Sequence, residues 1–146
     1  MTRAPEEFDV QRAFFQWCVG WPDRDGVPTK PVMLAPGVEV WHTPNGGNRD
    51  AREGKRLKES GVVAGIHDIL FLRLTDFGQY GKWGLLFGLE FKKPGGPQPP
   101  SRQLSKSQQL MHPRLLAAGM AASTVVDNLK DARAFCYQNK LTVGLE

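Results

Sequence analysis

The alternation of apolar and polar positions is clearest over GLLFGLEFKK, residues 84–93. Successive side chains point to opposite faces of a strand, so Leu85, Phe87, Leu89 and Phe91 share one face and Leu86, Gly88, Glu90 and Lys92 share the other. The first face is apolar to its end. The second begins with Leu86 and finishes with a carboxylate and an ammonium group side by side. HDILFLRL at 67–74 is a second strand, and the polar stretch TDFGQYGKW between the two suits a hairpin. Val38–Thr43 alternates as a short earlier strand, and Ala121–Val126 reads as a short buried one.

Helical spacing surrounds these strands. Residues 5–18, PEEFDVQRAFFQWC, predict a first helix, with Pro5 in the opening turn and Glu6 and Glu7 at the positive end of its dipole. Arg49–Ser60 is a charged helical stretch, interrupted by Gly54 and stopped by Gly61. Ser105–Ala118 predicts a helix capped by Ser105, with Pro113 expected to kink it or to cap its second part. Leu129–Gln138 is a final amphipathic helix. Residues 20–37 read as loop, Pro44-Asn45-Gly46-Gly47 as a turn, and PGGPQPPS at 94–101 as a mobile loop that forms neither helix nor sheet. Helix, strands, helix, strand, helix implies an α/β fold, a mixed sheet flanked by helices, and 146 residues suit a single domain, 1–146.

Composition narrows the setting. Hydrophobic residues make up 40% and charged residues 23%, ordinary for a soluble chain. No apolar run approaches the roughly 20 residues that cross a bilayer, so no membrane partner is expected. The opening MTRAPEEFDVQ is too acidic for a signal peptide, which makes the cytosol the expected compartment. Cys18 and Cys136 have no metal-ligand spacing and read as two buried thiols.

The net charge of +4 hints at a polyanionic partner, and its distribution says more. From Phe91 to Val126 there are five basic residues (Lys92, Lys93, Arg102, Lys106, Arg114) and no acid. A second cluster, Arg49, Arg52, Lys55, Arg56 and Lys58, is diluted by Asp50, Glu53 and Glu59 and could be no more than a solvated face.

Glu90 and Lys92 alone could be a surface ion pair at a strand end. Asp68, near the start of the preceding strand, changes that. If the two strands pair as a hairpin, Asp68 and Glu90 project from one region of the sheet. Two neighbouring carboxylates repel unless protonated or bridged by a cation. Hard oxygen donors of this kind suit Mg²⁺ or Mn²⁺, and a lysine beside them can act on the attacking water or on the developing charge. Together these groups suit phosphodiester hydrolysis.

The chain resembles the restriction-endonuclease-like nucleases with an Asp…Glu-x-Lys signature, and within them the VRR-NUC family. The resemblance is carried by Glu7-x-x-x-Gln11, Trp41-His42-Thr43-Pro44-Asn45-Gly46-Gly47 with Arg49, and Leu57-Lys58-x-x-Gly61. It continues through Ala64-Gly65-Ile66-His67-Asp68, Gly88-Leu89-Glu90-Phe91-Lys92, Leu104-Ser105-x-x-Gln108, Leu115-x-x-x-Gly119 and Asp131-Ala132. It implies a restriction-endonuclease-like core, α-β-β-β-α-β, and a Mg²⁺- or Mn²⁺-dependent DNA endonuclease. Asp68, Glu90 and the Phe91 carbonyl would be metal ligands, Lys92 the catalytic lysine, Gln108 an orienting group, and Glu7 an acid approaching the metal. Small members look like phage or prophage proteins that resolve branched DNA such as four-way junctions. A non-catalytic nucleic-acid-binding module on the same fold is the alternative.

DNA would lie along Arg49, Arg52, Lys55 and Lys58 and along Lys93, Arg102 and Lys106, touched at phosphate. A homodimer is expected, since a junction needs two nicks, with Phe8, Phe14, Phe15 and Trp17 as its self-complementary surface. The family's proline before the aspartate is His67 here, which suits a packed or solvent-touching ring more than a ligand. His42, His67 and His112 lack zinc spacing. No nucleotide cofactor is expected: Asp76-Phe77-Gly78 stands without the rest of a kinase, and Gly78-Gln79-Tyr80-Gly81-Lys82 is too short for a phosphate loop. Trp41 and Trp83 could stack on bases but read first as buried aromatics.

Overall fold

The computed structural model describes residues 6–20, 24–26, 32–43 and 51–146. In chain order the elements are α1 (Glu7–Val19), β1 (Val38–His42), α2 (Ala51–Glu59), β2 (Ile69–Asp76), β3 (Lys82–Phe91), α3 (Lys106–Ala117), β4 (Ala122–Val126) and α4 (Leu129–Gln138). Pro5, Pro44–Gly47 and Arg49 lie outside the described residues, so the turn and the basic contact expected there carry no structural account.

The four strands form one sheet in the order β1-β2-β3-β4. β1 and β2 pair antiparallel, as do β2 and β3, while β4 joins β3 in parallel. The β2–β3 hairpin is longer than the apolar pattern suggests. Its ladder runs from Ile69 opposite Leu89 to Asp76 opposite Lys82, and a 3₁₀ turn at Gly78–Tyr80 closes it.

The alternating face predicted for β3 is the core face. Phe87, Leu89 and Phe91 are buried there beside Ile69 and Phe71 of β2 and Val38 and Val40 of β1. Phe14 and Cys18 of α1 and Ala132, Phe135 and Cys136 of α4 complete this core. Each large apolar side chain so enclosed contributes about 1.5–3 kcal/mol. Both thiols are buried and free, as expected, and burial pushes both far above the ordinary thiol range.

Several expectations change. Trp41 and Trp83 are exposed, at 40% and 50%, because one sits on edge strand β1 and the other near the hairpin turn. Of the α1 aromatics, Phe14 is in the core and Phe15 and Trp17 pack against it. Only Phe8, at 65%, presents a large exposed surface, which removes most of the aromatic excess expected to form a dimer interface. Residues 94–101 are not wholly irregular, since Pro100 opens a 3₁₀ turn, Pro100–Arg102, and Gln103 Nε2 donates to the Gln98 carbonyl at 2.7 Å. Helix α3 is continuous through Pro113. β4 is half-buried along most of its length. Among the described residues no helix is long and apolar enough to cross a membrane.

Candidate active site at the ends of strands β2 and β3

Residues just before β2 approach α3 closely, and one glycine permits it. A Cβ on Gly65 would lie 2.4 Å from the Ser107 carbonyl oxygen, and its φ of +88° is itself unfavourable for other residues. The chain then passes buried His67 and reaches Asp68 one step before the first β2–β3 pair. Asp68 therefore sits beside Glu90.

Asp68 is anchored at both ends. Its Oδ2 accepts the Phe91 amide at 2.8 Å, and its carbonyl accepts the Thr43 amide at 2.7 Å. His42 Nδ1 lies 2.9 Å from the same carbonyl and 2.9 Å from Gln11 Nε2. His42 thus places β1 and Gln11 of α1 beside the aspartate, its Nδ1 able to bond one of the two neighbours in a given tautomer. One turn before Gln11, Glu7 faces the same place: burial raises its carboxyl pKa first, Asp68 raises it further, and Lys92 opposes.

Glu90 is fully buried. Its Oε1 accepts from Gln108 Nε2 and lies 3.4 Å from Lys92 Nζ. Lys92 donates to Gln108 Oε1 at 2.8 Å. That oxygen also accepts the Ser105 amide at 2.8 Å, while the Gln108 amide donates to Ser105 Oγ at 3.3 Å. Gln108 is thus the return half of the capping box that starts α3 and, with the same side chain, the bridge between Lys92 and Glu90.

Desolvation, then the Asp68 carboxylate, pushes Glu90 up to about 8, with Lys92 opposing. Asp68 is raised by burial too, against the Phe91 amide, Lys92 and a hydrogen bond with Glu90. The two carboxyls cannot both ionise here without a counter-charge. Among the described residues no three His, Cys, Asp or Glu side chains converge as a metal cage. A carboxylate pair with one buried oxygen, Glu90 Oε2, lacking a partner does fit an ion that keeps water or phosphate among its ligands.

The five residues proposed for chemistry, Glu7, Asp68, Glu90, Lys92 and Gln108, come together. Phe91 contributes its amide to Asp68 and its ring to the core. The basic residues do not enter the cluster. Lys93 and Arg102 are exposed on the segment joining β3 to α3 and Lys106 on the first turn of α3, with Lys93 3.7 Å from Glu6. Arg52, Lys55 and Lys58 are exposed on α2, and Lys55 pairs with Glu59 at 3.8 Å, a pairing of little energetic weight.

Sequence spacing misses the histidines. His67 and His112 stack with centroids 3.7 Å apart and planes 13° from parallel. Strand alternation does not govern His67, which precedes β2, and its ring seats over Gly88, where a Cβ would come within 2.7 Å of it. Burial and His112 lower His67 to about 4; burial, then Lys92, lowers His112 against a backbone hydrogen bond to Gly65. The usable signal is helical: His112 lies four residues after Gln108 and so shares its face.

A solved structure described as a VRR_NUC domain protein superposes with a TM-score of 0.52 over 93% of this chain and 88% of that one, at 21% identity. The fold is that of a VRR_NUC domain protein. No family model matches the chain, and no curated protein sequence matches it either. The VRR_NUC likeness bears on architecture: a mixed four-stranded sheet flanked by helices, the restriction-endonuclease-like arrangement, with the Asp68–Glu90 pair at one end of its hairpin.

Proposed function

We propose that this protein is a VRR-NUC-type nuclease, a Mg²⁺- or Mn²⁺-dependent endonuclease that hydrolyses DNA phosphodiester bonds. The observation that carries the proposal is the buried Asp68–Glu90 carboxyl pair at one sheet end, with Lys92 and Gln108 both set on Glu90. Asp68 and Glu90, with the Phe91 carbonyl, would hold the cation. Bound there, a divalent ion supplies Lewis acidity toward phosphate and an acidified water.

The protein's own groups have separable tasks. Lys92 brings a compact ammonium to the phosphate or to the attacking water, and Gln108 Oε1 fixes its position. Gln108 Nε2 orients Glu90. Glu7 adds an acid whose proton affinity is raised by its surroundings, suited to holding or relaying a proton at the site. Lys93, Arg102 and Lys106 would contact phosphates, positioning the strand without reading bases.

The preferred substrate in this proposal is branched DNA such as a four-way junction. One Asp68–Glu90–Lys92 set serves one strand, so paired nicks call for a two-fold homodimer. The test is incubation of the purified protein with duplex, nicked, flap and four-way DNA, with Mg²⁺, with Mn²⁺ and with chelator. Metal-dependent nicking, strongest on the four-way substrate and lost in Asp68→Asn, is expected. Binding without cutting under every metal condition would make the protein a non-catalytic nucleic-acid-binding module instead.

A further inference from the structure

Helix α3 faces both oxygens of Glu90. Gln108 donates to Oε1, and one turn later His112 presents Nε2 to Oε2 at 3.8 Å. Both atoms of this second pair are buried, and neither has a hydrogen-bond partner. His112 makes its hydrogen bond to the Gly65 backbone. With Nε2 unpartnered, that bond belongs to Nδ1, which donates to the carbonyl. An imidazole protonated on Nδ1 carries a lone pair on Nε2.

Two electron-pair donors therefore face each other across a buried gap. At 3.8 Å the gap is too long for a hydrogen bond. It lies within the roughly 4.2 Å that two bonds of about 2.1 Å to one metal ion can span. Lys92 lies at the other oxygen, Oε1, and leaves Oε2 free. The ring direction is fixed from two sides. The Gly65 carbonyl holds Nδ1, as second-shell carbonyls hold metal-ligating imidazoles, and His67 stacks flat on the ring from its seat over Gly88.

We propose that His112 Nε2 and Glu90 Oε2 jointly hold a divalent first-row transition ion, so that an imidazole donor joins the Glu90 carboxylate. The inference rests on the proposed metal-dependent function. These two donors leave the ion's other positions to oxygen ligands. The consequence is selectivity. Imidazole adds affinity for Co²⁺ and, less, for Mn²⁺, and little for Mg²⁺, which takes oxygen ligands. His67 is a positioning residue for the ring.

The test is calorimetric titration of the metal-free full chain with MgCl₂, MnCl₂ and CoCl₂. Wild type is compared with His112→Phe, which keeps a ring to stack on His67 but has no nitrogen, and with His112→Gln. Co²⁺ affinity falls by roughly tenfold or more in both variants, while Mg²⁺ affinity stays within about twofold. Equal losses for the two ions, or no loss, overturn the proposal. Where neither variant folds, imidazole ¹⁵N spectra of wild type titrated with Zn²⁺ decide: a metal-bound shift at His112 Nε2 supports it, and an unmoved resonance overturns it. Failure of the nuclease proposal looks different. Wild type would then bind Co²⁺ through His112 yet cut no DNA with any metal.

Discussion

Gln108 Nε2 of α3 donates to Glu90 Oε1 of β3, while the other end of that amide accepts from Ser105 and Lys92. One side chain therefore both starts a helix and sets the spacing of two site residues. Gln108→Ala is expected to lose about 1 kcal/mol of stability with the capping box, and to cut at least tenfold more slowly. Gln108→Glu keeps an acceptor for Ser105 and Lys92 but cannot donate to Glu90. It is expected to retain the helix start while losing activity as severely. Thermal melting beside single-turnover cleavage separates the two effects, and full activity in Gln108→Glu removes the amide from the mechanism.

Asp68→Asn and Glu90→Gln preserve shape and hydrogen-bonding capacity in a buried cluster while removing charge. Each is expected to abolish cleavage and to leave DNA affinity unchanged or slightly higher, because a negative charge facing phosphate is gone. Cleavage gels and fluorescence anisotropy with the same labelled DNA test this. Wild-type cutting by either variant removes that residue from the site.

Lys92 is nearly enclosed, with 12% of its side chain exposed, and its ammonium lies between Gln108 and Glu90. Lys92→Ala is expected to reduce cleavage by at least a hundredfold with little change in fold. Lys92→Arg is expected not to restore it, because a planar guanidinium neither fits the same point nor gives up a proton. Circular dichroism confirms the fold, and an active arginine variant would limit Lys92 to charge stabilisation.

The metal-free protein should lose stability above neutrality. Glu90 is raised in the folded state to about 8, so between the unfolded value near 4.5 and 8 the native state holds more protons and stability falls as pH rises. His67, lowered to about 4 from 6.5, acts oppositely below pH 6.5, where native stability rises with pH. The fall due to Glu90 is therefore clearest from about pH 6.5 to 8. Melting temperatures of chelated wild type should drop across that window, and Glu90→Gln should flatten the drop. Identical slopes in the two proteins would show that Glu90 titrates normally.

Affinity for DNA is expected to fall steeply with salt, as counterion release requires. Replacing Lys93, Arg102 and Lys106 together should flatten the slope of log affinity against log salt. An unchanged slope places the DNA path elsewhere.

The strands and helices are legible because their cues are local: alternation in β3, Ser105 before an amphipathic run, Gly61 after a charged one. The Asp68–Glu90 approach follows from a single hairpin, so it too is readable. Burial of Glu90 is not, since strand alternation assigns a face but says nothing of α3 lying over it. Nor is the His67–His112 stack, which joins residues distant in sequence through an opening at Gly88. The exposure of Trp41 and Trp83 is likewise set by which strand forms the sheet edge and where the hairpin ends.

Gly88 and His67 together behave as a single exchange of volume between β3 and the segment leading into β2. The ring occupies space that any side chain at 88 would claim, since a Cβ there comes within 2.7 Å of it. Natural variation at the two positions should therefore be linked. A chain with alanine or larger at 88 needs a smaller or differently directed residue at 67. The pair thus forms an epistatic couple: a substitution at either position that is harmless in one background should be damaging in another.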